Sequence, residues 1–263
     1  MDLGLTGKRA FISGSTQGIG FAVAAELARA GAAVVINGRD EHRLLAAIDA
    51  LAAIAPEADV TGITADFADA DQVQRLVDQL GEIDILINNV GIFGLQDFAT
   101  IPDAEWQRYF EINVMSGVRL SRHVLAGMLA RDWGRIIFLS SESGIDVPAD
   151  MTHYGMTKAA MIALANGLAK TTRGSRVTVN SVIGGPTLSD GVAQTIEQIA
   201  LAQRIDAAEL ASTIAAGNTT SLLQRFIEPT EIADMVAYLA STRASATNGA
   251  ALRADGGTLT TTL

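Results

Sequence analysis

Two side chains in this sequence are of a kind that moves protons and are spaced to meet. Tyr154 and Lys158 stand at i and i+4, so on a helix they share one face and their ends converge. Lys158 is one of only three lysines, with Lys8 and Lys170, in a chain whose other cations are arginine. An ammonium beside a phenol favours the phenolate, so the tyrosine pKa is expected to fall from about 10 toward a range useful for acid–base work. Ser141, 13 residues before Tyr154, adds a hydroxyl to the set, with Ser140 beside it. A second constellation, Gly14-Ser15-Thr16-Gln17-Gly18-Ile19-Gly20, follows an apolar run and leads into a helical pattern. Glycines there permit a tight turn and a close approach of the backbone to a pyrophosphate. The helix N-terminus adds free N–H groups and a positive dipole.

The elements that must position these residues follow from hydrophobic patterning. Short runs, Arg9–Ser13, Ala33–Asn37, Val60–Thr64, Asp84–Asn88, Arg135–Ser140 and Val177–Ile183, are apolar nearly throughout. That is the mark of strands buried on both faces of a parallel sheet. Between them lie amphipathic stretches, Gly18–Ala30, His42–Ala53, Asp71–Leu80, Glu105–Leu129 and Met156–Lys170, with Asp69 and Thr230 as expected N-caps. Alternation of this kind predicts an α/β fold with a doubly wound, Rossmann-type parallel sheet of about seven strands. No linker, repeat or charge block divides the chain, so residues 1–263 are expected to form one domain. The rhythm breaks at 184–226, which opens Gly184-Gly185-Pro186 and is helical but strand-poor over Val192–Ala215. An insertion of this type late in an α/β domain is expected to cover a site as a lid.

The Gly-x-x-x-Gly-x-Gly spacing, with Asn88-Asn89-Val90-Gly91 closing the fourth strand and the Ser-x12-Tyr-x3-Lys set, resembles the short-chain dehydrogenase/reductase family. The resemblance covers nearly the whole chain. It implies that Tyr154 donates a proton to a carbonyl oxygen during reduction, or removes it from an alcohol during oxidation. It also implies that Ser141 binds the same oxygen, that Lys158 holds the nicotinamide ribose and tunes Tyr154, and that Asn113 anchors a water linking Lys158 to solvent. The spacing selects Ser141 over Ser140. Cofactor contacts implied are the residues from Gly14 to Gly20, Arg39, Asp66 with Phe67 beside the adenine, Asn89, Val90, Gly91, Tyr154 and Lys158, then Gly184, Gly185, Pro186, Thr187 and Ser189. Departures are Gly184 where the family has proline, Ser189 where it has threonine, and Val90 where it has alanine. The first makes the start of the loop more flexible.

After the second strand the chain reads Asn37-Gly38-Arg39-Asp40. Gly38 stands where an NAD enzyme places the acid that binds both ribose hydroxyls, and Arg39 can offer a planar fork to a 2′-phosphate. A second base in the glycine loop is missing at Gln17, and Asp40 lies close enough to weaken phosphate binding. NADP(H) is therefore the expected cofactor, with NAD(H) the alternative.

The same family analogy draws a substrate pocket from Phe93, Ser141, Glu142, Ser143, Val147, Met151 and Leu188. Glu142, Asp146 and Asp150 mix acids into it, as a solvated rim or as the sign of a polyol or cationic substrate. The expected activity is that of a carbonyl reductase or alcohol dehydrogenase acting on a small molecule. Alternatives are 3-oxoacyl-[acyl-carrier-protein] reduction, a nucleotide-binding regulatory protein without turnover, and elimination on the same scaffold. The stretch Ala130-Arg131-Asp132-Trp133 offers one base cancelled by one acid, which is little for an acidic carrier protein. A homotetramer, or a homodimer, is expected by analogy, with Thr258–Leu263 reaching a neighbour.

Composition excludes other classes. The chain has 263 residues, no cysteine, 49% hydrophobic residues and a formal net charge of -10. Disulfides and thiolate chemistry are absent, and the three histidines, far apart in sequence, argue against a metal site. Acidity without clustered base argues against nucleic acid. No apolar stretch approaches the roughly 18 residues of a membrane span, and Met1–Gly4 lacks a signal pattern, so a cytoplasmic location is expected.

Overall fold

The computed structural model describes residues 2–262. Seven strands, β1 (Arg9–Ile12), β2 (Ala33–Gly38), β3 (Val60–Thr64), β4 (Ile85–Asn88), β5 (Gly134–Ser141), β6 (Val177–Gly184) and β7 (Ala251–Ala254), form one sheet. The order is β3-β2-β1-β4-β5-β6-β7, and every pairing is parallel. The order reverses between β1 and β4, and a crevice opens there at the carboxyl ends of the strands, where ligands bind in such sheets.

Side-chain alternation sends neighbouring strand residues to opposite faces. Ile12, Ile36, Ile87 and Leu139 pack with helices α1 (Gly18–Arg29), α2 (Glu41–Ile54) and α9 (Pro229–Ala240). Phe11, Leu86, Phe138 and Val179 pack with α3 (Ala70–Leu80), α5 (Ser116–Ala130) and α6 (Thr152–Thr171). The central strands β4, β5 and β6 are buried throughout, as their apolar runs predict. β3 is not, being an edge strand with half-exposed positions. β7, the opposite edge, is four residues long and lies outside the apolar runs read from sequence.

Several helix boundaries differ from expectation for identifiable reasons. The stretch Glu105–Leu129 is not one helix. It is α4 (Asp103–Phe110), a π-helical turn over Glu111–Met115 that contains Asn113, and then α5. α6 begins at Thr152 rather than Met156, which puts Tyr154 in its first turn. The 192–215 stretch is two helices, α7 (Asp190–Gln203) and α8 (Ala207–Gly217), broken where Arg204 adopts φ 58°. Asp69 caps α3 as expected, accepting from the N–H groups of Asp71 and Gln72. Thr230 is not the cap of α9. Glu228 holds that position with Pro229 next, and the Glu231 carboxylate accepts from the Glu228 N–H. Among the described residues no helix is long and apolar enough to cross a membrane.

Candidate active site

The loop between β1 and α1 is shaped by its backbone. Gly14 and Gly18 take φ of 62° and 61°, a region that side chains avoid. A Cβ on Gly20 would lie 2.4 Å from the Gly14 carbonyl oxygen and 2.5 Å from Asn89 Nδ2. Asn89 explains that closeness: its amide donates to the carbonyls of Ser13 and Gly14 at 3.0 and 2.7 Å. The Ser13 hydroxyl accepts from the N–H groups of Asn89 and Val90, so β4 and the loop are laced together. Ser15 is buried, donating to the Ile12 carbonyl. Gln17 is exposed at the N-cap of α1, and Ile19 faces the catalytic cleft.

On the neighbouring strand, three residues have separate duties. The Asn37 side chain accepts from the Gly14 N–H and donates to the carbonyls of Ile63 and Ala65, so it is wholly engaged in structure. Asp40 caps α2, accepting from the Arg43 N–H at 2.9 Å. Arg39 is exposed and has no ion-pair partner among the described residues. A Cβ on Gly38 would lie 2.4 Å from Thr16 Cγ2, so that methyl fills the space an acidic side chain would need. Asp66 folds its carboxylate back on the Ala68 N–H, and Phe67 is buried in the core.

The acid–base residues meet at the ends of β5 and α6. Ser141 ends its strand, and its Oγ stands within hydrogen-bonding reach of Tyr154, while Ser140 Oγ turns away to donate to the Lys158 carbonyl. Lys158 Nζ lies 5.6 Å from the Tyr154 ring centroid and donates to the Leu139 carbonyl at 2.8 Å. The expected lowering of the tyrosine is not found in the free protein. Burial pushes the Tyr154 phenol above its ordinary value, partly offset by the Ser141 hydrogen bond. Burial equally penalises the ammonium, bringing Lys158 down to about 8. Tyr154 thus holds its proton more tightly, and Lys158 less tightly, than either would in water.

Asn113 is fully buried in the π-helical turn. Its Oδ1 accepts from the Ile92 N–H at 2.8 Å, and its amide donates to the Ile92 carbonyl and to Thr157 Oγ1 at 3.0 and 2.9 Å. Thr157 in turn donates to the Tyr154 carbonyl at 2.7 Å. A continuous chain of bonds therefore runs from the segment after β4 to the backbone of Tyr154.

A cleft of about 270 Å³ joins these groups. Phe93, Ser141, Glu142, Ser143 and Met151 line it as expected, together with Asn89, Gly91, Gly184, Gly185, Thr187 and Ser189. Val147 and Leu188 do not. Val147 packs against Gly155, and Leu188 is held by its main chain to the Ile227 carbonyl. Leu139, Val192 and Ile232 line it instead; apolar patterning alone could not separate them from ordinary core. Gly184 does not loosen the loop after β6. It is the last residue of that strand, paired with Ser141 on one side and Ala254 on the other. Gly185 is required because a Cβ there would lie 2.5 Å from the Asp255 carbonyl oxygen.

The 184–226 segment returns to the sheet at a bridge between Thr187 and Ile227, with the Pro186 carbonyl accepting from the Ile227 N–H. At the start of α7, Asp190 Oδ2 accepts from the Gly18 N–H at 2.5 Å. A carboxylate from this segment thus sits on the N-terminus of α1.

Comparison with known proteins agrees with this geometry. A family described as short chain dehydrogenase matches residues 8–200. Two oxidoreductases of Bacillus subtilis (strain 168), YvrD and YvaG, are each 43% identical over 261 and 258 residues, covering 98% of this chain and 98% of theirs. Among solved structures, the L-sorbose reductase of Gluconobacter frateurii, complexed with NADPH and L-sorbose, superposes with a TM-score of 0.94. It is 32% identical, over 99% of this chain and 100% of that one.

Proposed function

The chain belongs to the short-chain dehydrogenase family of NAD(P)-dependent oxidoreductases, and on that premise we propose that it is an NADP(H)-dependent carbonyl reductase or alcohol dehydrogenase with Tyr154 as its general acid and base. The observation that carries the reading is the meeting of Tyr154, Ser141 and Lys158 in a cleft that opens onto the glycine loop.

The residues present fit a dinucleotide. Gly14, Gly18 and Gly20 keep the loop free of side chains where a pyrophosphate approaches, and α1 presents its N-terminus there. Gly38 with Arg39 favours a 2′-phosphate over bare ribose hydroxyls. Asn37 and Asp40, the other polar groups nearby, are already engaged. When bound, the nicotinamide supplies or takes up the hydride. Tyr154 gives its proton to the carbonyl oxygen as charge develops there, and Ser141 turns its one hydroxyl hydrogen from the Glu142 carboxylate to the same atom. Burial keeps the phenol protonated, the form that reduction consumes. Lys158 holds the ribose and restores the proton. The water that links Lys158 to solvent falls to the Asn113 main chain, since both amide hydrogens and Oδ1 of its side chain are taken.

The 184–226 segment acts as the lid within a single domain. Exposed apolar residues such as Ile145 and Met156 support a homotetramer, which light scattering tests against 27.5 kDa for one chain. The decisive experiment is Tyr154→Phe. Turnover of carbonyl substrates with NADPH is expected to fall by about 10³-fold while NADPH binding, read by fluorescence, persists. Full turnover in that variant would overturn the reading.

A further inference from the structure

Of the three acids near the cleft, Asp146 and Asp150 are exposed outside it, whereas Glu142 is partly buried and lines it. Glu142 is also the only acid in that lining, and Lys158 the only cation. Glu142 Oε2 accepts from the Ser141 hydroxyl at 2.5 Å, and Oε1 from the Ser143 hydroxyl at a longer 3.4 Å. No cation pairs with it among the described residues. Burial pushes its carboxyl above the ordinary carboxylate range, and only its serine and main-chain hydrogen bonds oppose that.

We infer that Glu142 is the specificity-determining residue of the cleft, accepting a hydroxyl on the carbon next to the reacting carbonyl, so that the substrates are hydroxylated ketones and the matching polyols. The inference rests on the oxidoreductase reading above and narrows its substrate class.

The argument is one of unmet acceptors. A carboxylate has about four lone-pair sites. The Ser143 hydroxyl and the main-chain N–H groups of Glu142 and Ser143 serve it in place, but Ser141 has a single O–H, and when that hydrogen turns to the reacting carbonyl oxygen Oε2 loses its donor. The apolar lining residues Phe93, Leu139, Met151, Val192 and Ile232 cannot refill that site, and the donors Asn89, Lys158 and Thr187 are committed to main-chain carbonyls. A ketone without hydroxyls would bury the carboxylate against hydrocarbon, and stranded polar groups of this kind produce strong rejection. A hydroxylated ketone brings the missing O–H. The position follows from Ser141. Ser141 Oγ gives its one hydrogen to Oε2 in the free protein and to the reacting oxygen in the complex, so it stands between the two, and a hydroxyl that refills Oε2 falls on the carbon beside the carbonyl. Other classes fit less well. A carboxylate on the substrate would meet Glu142 as a like charge, an ammonium would share the cleft with Lys158, and an acyl thioester carries no donor at that carbon.

The test compares hydroxyacetone, acetone and pyruvate as substrates with NADPH, in the unmodified protein and in Glu142→Gln and Glu142→Ala. The unmodified protein is expected to favour hydroxyacetone over acetone by about 10²-fold or more in kcat/KM. In both variants that ratio is expected to fall at least tenfold, with the melting temperature confirming that they fold. A ratio near one in the unmodified protein, a preference for pyruvate, or a ratio preserved in Glu142→Gln would overturn the inference and leave the oxidoreductase reading intact. Should NADPH bind without turnover of any ketone, the oxidoreductase reading itself fails, and binding then decides the inference. Sorbitol titrated into the NADPH complex, followed by nucleotide fluorescence, should bind at least tenfold more tightly than propan-2-ol. That advantage should vanish in Glu142→Gln, and equal binding of the two alcohols would overturn the inference.

Discussion

The β1–α1 loop presents main chain to the crevice and is pinned by the Asn37 and Asn89 side chains. Two glycines sit at positive φ, and a third has no room for a methyl group. Across the cleft, the 184–226 segment is attached by side chains and a few bonds. These are the Thr187–Ile227 bridge, the Asp190 carboxylate on Gly18, and a handful of buried residues such as Ile196, Ala200 and Ala215. The first region can bind only what fits a bare backbone, and the ligand that fits is one with phosphates. The second can change its side chains without disturbing the sheet. Cofactor binding is thereby separated from substrate choice, and the residues between them, Tyr154, Lys158 and Glu142, answer to both.

Gly20→Ala attacks the backbone side most severely. The added methyl must displace Asn89 or the Gly14 carbonyl, so a loss of about 3 kcal/mol is expected in urea denaturation, along with NADPH binding. A variant of unchanged stability would mean the loop is softer than its bonds imply. Lys158, where the two regions meet, gives the next effect. Its folded pKa of about 8 lies below the ordinary 10.5, so between these values the unfolded chain binds more protons than the folded one. Stability from this group must therefore rise with pH from about 8 to 10, on the order of 2 kcal/mol. Below about 8 both forms are protonated and the slope vanishes. Melting curves of the protein and of Lys158→Met across this window should differ in slope, with the variant flat.

Arg39→Ala is expected to weaken NADPH binding by about 2 kcal/mol and to leave NADH binding unchanged. An equal loss for both nucleotides would show that Arg39 supports the loop rather than a phosphate. Thr157→Val cuts the chain from Asn113 to Tyr154 and should lower kcat by about tenfold with little change in KM, since the phenol is displaced rather than removed. The smallest effect belongs to Asp190→Asn. Its carboxylate occupies an N–H at the end of α1 where phosphate approaches, so NADPH should bind a few-fold more tightly to the variant, by about 0.5–1 kcal/mol. Weaker binding would mean the contact supports the site instead of opposing its ligand.

Much of this architecture is legible in the sequence alone. The alternation of apolar runs marks six of the seven strands, and the glycine spacing and the Tyr154–Lys158 pair mark the two halves of the crevice. What escaped reading has physical reasons. A π-helical turn adds one residue to a helix without changing its apolar content, so Glu111–Met115 is invisible within an amphipathic stretch. β7 is too short and too exposed to show a buried pattern. The left-handed Arg204 that divides α7 from α8 carries no glycine to announce it. The Asp190–Gly18 bond joins residues 172 positions apart, and no local signal reports such a contact. The raised pKa of Tyr154 has no sequence signature, because charge proximity is visible there while burial, the larger influence here, is not.

The Thr16 methyl lying against Gly38 has a consequence for redesign. Converting this protein to NADH by the simplest route, Gly38→Asp, would drive a Cβ to within 2.4 Å of Thr16 Cγ2, so the single change should cripple the loop before it can reward the new cofactor. A smaller residue at position 16, such as Thr16→Gly, removes the clash. Positions 38 and 16 lie on different elements but share one space, and a library that varies position 38 must vary position 16 with it.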